Sequence, residues 1–264
     1  MIESLHSPHI ARVKALISSR GNKERGEHGQ FIAEGLQCAR EALAATSGPK
    51  IKTLFLTESG QSRVDSAGLN TADVETILVS EPVMAAMSST ITPQGILSVC
   101  EIGRNDFSDL KLNGDSKFIY LHEIQDPGNA GTILRTADAM GVDAVVTSPG
   151  SVDMYSPKVV RATAGSLWHV PLFESIPFAE LASLLPTATP LLMSSHAKKS
   201  IMDLALEDSY ISIFGNEARG VDASALGSEK IIEVTIPMAG RAESLNLSAA
   251  ASIVIFTLSR KVAG

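Results

Sequence analysis

Three short stretches in the second half of the chain combine residue types able to hold and act on a polar ligand. The first is Asp126-Pro127-Gly128-Asn129-Ala130-Gly131, running into Thr132-Ile133-Leu134-Arg135-Thr136. Asn129 stands where a helix cap belongs, and the glycines beside it let backbone approach a ligand closely. Arg135 falls on the polar side of that helix, opposite Ile133, Leu134 and Ala137. It either acts on a bound group or pairs with Asp138 three residues on. The second stretch, Phe214-Gly215-Asn216-Glu217-Ala218-Arg219-Gly220, sets an amide and a carboxylate directly after a glycine. That pair suits a polar ligand; it equally suits a turn into a helix with an acidic first turn. The third, from Ile236 through Pro237, Met238 and Gly240 to Ser244, Leu245 and Asn246, offers backbone groups for an adenine edge, with Ile236 and Leu245 as apolar walls. In its purely structural version Ser244 caps the last helix and Asn246 fits the first turn.

Other chemistries lack their signatures. No Gly-x-Gly-x-x-Gly follows the strand-like runs at 51–57 or 118–124, and no Walker A sequence is present, which disfavours a dinucleotide or P-loop site. The histidines (His6, His9, His28, His122, His169 and His196) include no His-x-x-x-His pair and have no cysteine cluster beside them, so no metal is expected. A Gly-x-Ser-x-Gly elbow is absent too. His122 lies in a strand-like run and reads as a satisfied core residue.

The elements that must position these stretches are those of two α/β halves. The first half has a helix-like segment near 8–20, a loop rich in glycine and charge at 21–30, and a run from Phe31 whose apolar spacing predicts a helix beginning near Glu34. Strand-like runs at 51–57, 75–80 and 95–102 follow, with a helical piece around 81–89. Residues 103–117 are polar and read as a link. The second half opens with the buried strand 118–124, and further apolar runs stand at 143–148, 190–195, 210–215 and 230–236, separated by helical stretches. Such alternation predicts a mostly parallel sheet with helices on both faces, whose ligands bind beyond the carboxyl ends of the strands. The last helix, from about Leu245 to Val262, is apolar nearly all round: Leu247, Ala250, Ala251, Val254, Ile255 and Leu258 form one face, and Ala249, Ile253 and Phe256 a second. A helix of that kind is buried on more than one side, which predicts a homodimer.

Composition sets outer bounds. With 264 residues, 44% hydrophobic and 19% charged, the chain is of ordinary globular type. No apolar run nears the roughly 20 residues that cross a bilayer, so no membrane partner is expected. The N-terminal residues have no uninterrupted apolar core and no small-residue cleavage site. Cys38 and Cys100 are read as reduced thiols, and a cytoplasmic location is expected. The net charge of −7 argues against nucleic acid as a partner, but its distribution is uneven. Residues 10–25 carry Arg12, Lys14, Arg20, Lys23 and Arg25 against the single acid Glu24. This is either a nucleic-acid contact or a solvated helix face.

In order and spacing, NAGTILRTADAMG, FGNEARGV and IPMAGRAESLNLSAAAS closely resemble the motifs of the SpoU (TrmH-like) 2′-O-ribose RNA methyltransferases of the SPOUT class. The resemblance covers residues 118–264, and SPKVVRATAGSLWHVP at 156–171 is similar to the family's helix between the first two motifs. The N-terminal part, with its FIAEG segment, looks like the ribosomal-protein-L30e-like substrate domain of rRNA-directed members. The resemblance implies an α/β chain with an N-terminal RNA substrate-binding domain at 1–107, a linker at 108–117 and a trefoil-knotted methyltransferase domain at 118–264. It implies S-adenosyl-L-methionine as cofactor, held in the knot by Ser194, Ser195, His196, Gly215, Asn216, Ile236, Met238 and Leu245. It points to Arg135 as the residue that activates the ribose hydroxyl, with Asn129, Glu217, Ser244 and Asn246 matching the other polar positions. Arginine is an awkward base, so two versions stay open. Arg135 is either driven toward neutrality by burial beside a cationic cofactor, or stays charged and stabilises the developing alkoxide. RNA is expected to meet the 12–25 stretch together with Lys158 and Arg161. The implied reaction is ribose 2′-O-methylation in 23S rRNA; a tRNA substrate, a base methyltransferase and a non-catalytic ribosome-assembly protein are the alternatives.

Overall fold

Ile10, Val13 and Leu16 recur at helical spacing behind Pro8 and are all buried, which makes and orients α1 (Pro8–Ile17). The computed structural model describes all residues except 19, 104, 206–208, 228–229 and 263–264. Ser19 of the helix expected over 8–20 and Arg104 of the polar stretch therefore lie outside the described residues. The chain divides into two units, one of Met1–Arg104 with Asp153–His169, the other of Asn105–Val152 with Val170–Gly264.

In the first unit the glycine- and charge-rich segment expected to be a loop is a helix, α2 (Gly21–His28), closed by Gly29 at φ 61°. It has no apolar stripe. Its one large buried side chain is Arg25, 5% exposed, whose guanidinium donates to the carbonyl of Leu16 and pairs with Asp153 at 2.6 Å. A polar core holds this helix, so hydrophobic periodicity does not reveal it. The helix expected from Glu34 is likewise two elements: β1 (Gln30–Glu34), then α3 (Leu36–Ala44), parted at Gly35, φ 95°. A φ in that region favours glycine and turns the strand directly into the helix.

β1 joins β2 (Lys50–Leu56), β3 (Glu75–Leu78) and β4 (Ile96–Glu101) in a sheet of order β1-β4-β2-β3. β4 runs antiparallel to β1 and β2, and β3 parallel to β2. Ala39 of α3 and Val64 of α4 (Glu58–Ser66) share one core with Leu54, Leu56 and Ile96; α1 and α5 (Glu81–Met87) share another with Ile32, Phe55 and Leu97. Cys38 and Cys100 are free thiols buried here, and burial pushes the Cys38 thiol up to about 11.

The second unit has six strands: β5 (Lys117–Leu121), β6 (Ala144–Thr147), β7 (Leu172–Phe173), β8 (Thr189–Met193), β9 (Tyr210–Phe214) and β10 (Ile232–Val234). Their order is β10-β8-β9-β5-β6-β7, and every pairing is parallel. α6 (Pro127–Ala139) links β5 to β6, α8 (Phe178–Leu184) follows β7, and α9 (Leu247–Val262) ends the chain; α7 (Pro157–Thr163), between β6 and β7 in sequence, belongs to the first unit. Phe118, Tyr120, Ala144, Val146, Ile211 and Ile213, alternate residues of three strands, share a core with Phe178 and Leu181 of α8. α9 packs on α6 and β9. The stretch read as a linker is partly docked onto this unit: Phe107 stacks on Phe173 with centroids 3.8 Å apart, and Leu110 packs on the same core. Among the described residues no helix is long and apolar enough to cross a membrane.

The division in space differs from a single cut along the sequence, because residues 153–169, α7 included, pack in the first unit. Phe31 of β1 meets Tyr155 and Trp168, and the Trp168 indole donates to the Pro49 carbonyl at 3.1 Å. Breaking one side of a buried ion pair strands a charge at a cost of about 3–5 kcal/mol. Asp153→Ala is therefore expected to lower unfolding stability by about 3 kcal/mol or more, read as a drop in the urea midpoint; an unchanged midpoint would refute the structural role given to Arg25.

Candidate active site

Four neighbouring parallel strands, β10, β8, β9 and β5, must release their following loops at one edge of the sheet. The three stretches singled out from the sequence, and the turn at 194–196, all lie along it. Their side chains are joined there.

Glu217, two residues beyond Gly215, is the junction. Its Oε1 accepts from the peptide N–H of Asp126 at 3.1 Å and from Asn129 Nδ2 at 3.3 Å; its Oε2 accepts from the N–H of Gln125 at 3.2 Å. Asn129 in turn accepts at Oδ1 from Asn246 Nδ2 at 3.2 Å. One run, Asn246–Asn129–Glu217, thus ties all three stretches together. Burial pushes the Glu217 carboxyl up, but the peptide N–H groups and Asn129 that donate to it outweigh this, and its pKa falls below the ordinary value.

The caps differ from expectation at two places. Asn129 is not the cap of α6: Asp126 is, accepting from the Asn129 N–H at 2.8 Å, with Pro127 in the first helical position. The Asn129 side chain, freed from capping, reaches across to Glu217 and Asn246. At α9, Asn246 and not Ser244 takes the capping position, its Oδ1 accepting from the N–H groups of Ser248 and Ala249 at 3.0 and 3.2 Å. Ser244 is exposed.

After β9 the chain makes a tight hairpin instead of a helix. The N–H of Asn216 donates to the Gly220 carbonyl, and the Gly220 N–H to the Asn216 carbonyl. A Cβ on Gly215 would fall 2.6 Å from the Gly220 carbonyl carbon, so only glycine fits. Asn216, buried, accepts at Oδ1 from the N–H groups of Ala218 and Arg219 and donates from Nδ2 to the Glu123 carbonyl at 2.9 Å. Glu123, at φ 50°, pairs with Arg219 at 2.7 Å. Sequence reasoning missed Asp126, Gln125 and Glu123. The Asp-Pro pair signals the first; nothing local marks a non-glycine at positive φ. His122, expected to be satisfied, has a buried Nδ1 without a hydrogen-bond partner among the described residues. Burial lowers its pKa, Glu123 opposing and Arg219 adding to the effect.

Arg135 is exposed on α6, has no hydrogen bond or ion pair among the described residues, and stands outside the Asn246–Asn129–Glu217 run. Along the third stretch Met238 and Leu245 are each 39% exposed, and Ile236 is half-buried. The peptide N–H groups of 238–245 have no partner among the described residues. Ser194 anchors its turn by donating from its N–H to the Val234 carbonyl, while Ser195 and His196 are exposed. Free backbone donors beside exposed apolar side chains suit a flat heterocycle with a polar edge.

All seven cations expected to meet RNA fall in the first unit. Lys14, Arg20 and Lys158 are exposed, Lys23 pairs with Glu27, Arg12 donates to Gln30, and Arg161 lies beside Glu34 and Ser89. Arg25 is the exception: buried and committed to Asp153 and Leu16, it cannot face RNA.

Residues 116–256 match the SpoU rRNA Methylase family, and residues 10–98 the MRM3-like substrate binding domain. The chain is 32% identical over 264 residues to the 23S rRNA (guanosine(2553)-2'-O)-methyltransferase RlmP of Bacillus subtilis (strain 168), covering 97% of this chain and 99% of that one. It is 26% identical to a 23S rRNA (uridine(2479)-2'-O)-methyltransferase of Streptomyces viridochromogenes, over 94% and 88% of the two chains. An AdoMet-bound rRNA methyltransferase from Sinorhizobium meliloti superposes with a TM-score of 0.85 at 27% identity, covering 98% of this chain and 97% of that one.

A carboxyl with a lowered folded-state pKa stabilises above its unfolded value and loses that contribution as pH falls through the folded value. The stability gap between the native protein and Glu217→Gln is expected to be constant at neutral pH and to narrow as pH drops below about 4.5, the ordinary glutamate value. Urea unfolding across that range measures it. A gap that widens on acidification would contradict the hydrogen bonding described for Glu217.

Proposed function

Because the chain belongs to the SpoU rRNA methylase family, we propose that it transfers a methyl group from S-adenosylmethionine to a ribose 2′-hydroxyl of 23S rRNA. The observation that carries this reading is the Asn246–Asn129–Glu217 run, which assembles three separate loops at the carboxyl edge of one parallel sheet. The names of the two relatives give it further support.

The cofactor fits the donor set along the third stretch. The free N–H groups of 238–245 suit the adenine edge and Ile236, Met238 and Leu245 its faces, with Gly215, Asn216 and the Ser194–His196 turn alongside. When bound, it supplies a methyl group on a sulfonium, open to in-line attack. The chain's own task is alignment and charge. Holding reacting atoms about 3–3.5 Å apart contributes much of the rate in such a displacement. Glu217 is committed to the amides of 125–126 and to Asn129, so it is a scaffold and not the proton acceptor. Arg135 is exposed on α6 with no hydrogen bond or ion pair among the described residues, so its guanidinium is available to a substrate. Its guanidinium therefore stabilises the negative charge growing on the ribose oxygen, while the proton leaves to water or an RNA phosphate. In this reading Lys14, Arg20, Lys158 and their neighbours in the first unit take the RNA backbone.

The trefoil knot is part of the same proposal. Supporting it, the segments after β8 and β10 run side by side, with Thr235 N–H on the Lys199 carbonyl and Ile201 N–H on the Thr235 carbonyl, before the chain turns back into α9. A homodimer is proposed through the outer face of α9, where Ile253 and Phe256 stand exposed. Buried free thiols suit the reducing cytoplasm, the location proposed here.

Labelled methyl transfer to total RNA from a strain lacking the gene, followed by nucleoside analysis, tests the reaction. The expected product is a 2′-O-methylnucleoside in the 23S fraction; label confined to tRNA or to a base would overturn the proposal. Arg135→Lys is expected to lower kcat by about 100-fold or more, as loss of a transition-state donor does, with cofactor affinity unchanged. Phe256→Glu is expected to convert a dimer to a monomer in sedimentation velocity; a native protein that sediments as a monomer would remove the dimer.

A further inference from the structure

One exposed cation of the second unit is fixed at both ends: Arg219, in the hairpin after β9. Its N–H donates to Asn216 Oδ1 at 3.1 Å, which holds its backbone. Its Nη2 donates to Glu123 Oε2 at 2.7 Å, which holds the far end of its side chain. The side chain is nevertheless 73% exposed, and its Nε and Nη1 have no partner among the described residues.

The anchor of that side chain is itself strained. Glu123 sits at φ 50°, a region unfavourable to any residue with a Cβ. Three polar bonds keep it there. Its N–H donates to Ser148 Oγ at 2.7 Å, and its carbonyl accepts from Asn216 Nδ2 at 2.9 Å and Gln125 Nε2 at 3.1 Å. All three are made by its backbone, so a glycine would take the same turn without strain. What Glu123 adds is a carboxylate, and the partner of that carboxylate is Arg219. An exposed ion pair contributes little to stability, less than left-handed strain and the ordering of a long side chain take away. Fold stability therefore does not account for the pair. Nor does His122 require the carboxylate as a counter-charge, because burial lowers its pKa and leaves it neutral at pH 7.

The reaction supplies a task for a cation at this place. The hairpin that carries Arg219 also carries Glu217, the junction of the three loops. A ribose 2′-hydroxyl stands on the carbon next to the one that bears the 3′ phosphate, so a hydroxyl presented to this edge brings a phosphate with it. The carboxylates of Glu217 and Glu123 stand on the same edge and repel that phosphate. A planar guanidinium with free N–H donors attracts it and matches its oxygens. Resting on the methylation reading above, we infer that Arg219 receives a backbone phosphate of the RNA beside the methylated nucleotide, and that Glu123 is a positioning residue that holds its guanidinium for that contact. The contact lies in the second unit and is additional to the cations of the first.

Filter binding of 23S rRNA from the strain lacking the gene, over a series of salt concentrations and without cofactor, tests the contact independently of turnover. Arg219→Gln is expected to weaken binding by the full chain about tenfold at low salt, as loss of a charge-assisted phosphate contact does. It is also expected to flatten the slope of log affinity against log salt by about 0.7–0.9, the share of one phosphate. Arg219→Lys, which keeps the charge, is expected to restore that slope. In methyl transfer the Arg219→Gln enzyme is expected to show a raised KM for RNA, with kcat and cofactor affinity within about twofold of native. Glu123→Gly is expected to weaken RNA binding without lowering the urea midpoint, because glycine tolerates its φ of 50°. Once Arg219 is Gln, the same change is expected to have no further effect on binding. An unchanged salt slope in Arg219→Gln overturns the assignment. A urea midpoint that falls together with binding in Glu123→Gly makes the pair a structural contact and overturns it as well. So does a lowered kcat with an unmoved KM, which would place Arg219 at the reacting atoms. A changed slope without methyl transfer to any RNA would sink the reaction and leave the phosphate contact; methyl transfer with an unchanged slope would do the reverse.

Discussion

In the second unit every strand pairing is parallel, and the active-site geometry follows from that. A parallel sheet sends each strand's outgoing loop to the same edge, so residues scattered from 125 to 246 converge without any of them being close in sequence. The order β10-β8-β9-β5 makes the four loop-bearing strands consecutive neighbours. The asymmetry of the site, dense with side-chain bonds at β5 and β9 and open in backbone at β10, reflects the lengths of the connections that leave there. After β9 a two-way backbone bond closes a hairpin within five residues. After β10 the chain runs on to residue 246 before it is helical again.

The two units satisfy a structurally committed charge in different ways. Glu217 is a partly exposed carboxylate satisfied by peptide N–H groups and an asparagine, neutral donors fixed by the start of α6. Arg25 is fully enclosed and needs a formal counter-charge, Asp153, brought from 128 positions away. The first arrangement leaves negative charge beside the cofactor position proposed above. The second cancels charge where only structure is at stake.

Much of this is legible in the sequence. The strands of the second unit are continuous apolar runs because both faces are covered, and glycine and asparagine mark where their loops begin. What escapes is anything whose cause is distant or polar. α2 escapes because Arg25, not a leucine, is its buried residue. The join of β1 and α3 escapes because a single glycine separates them. The grouping of 153–169 with the first unit escapes because its partners Arg25, Phe31 and Pro49 all precede it by more than 100 residues. At the site the residue types are readable and the partnerships are not. Asn129 and Ser244 each look like caps, and only the fold reveals that Asp126 and Asn246 hold those posts while the Asn129 side chain is released to bridge Glu217 and Asn246.

The return of residues 153–169 into the first unit has a consequence for how the protein comes into being. A chain emerging from the ribosome has made all of β1–β4 by residue 101, yet the counter-ion of Arg25 and the aromatic cover of Phe31 have still to be synthesised. The N-terminal half therefore waits, incompletely sealed, until His169 is out, by which time β5, α6 and β6 have also been made. No single cleavage point divides the molecule into two pieces that each keep their own core. The two units are distinct but share one birth.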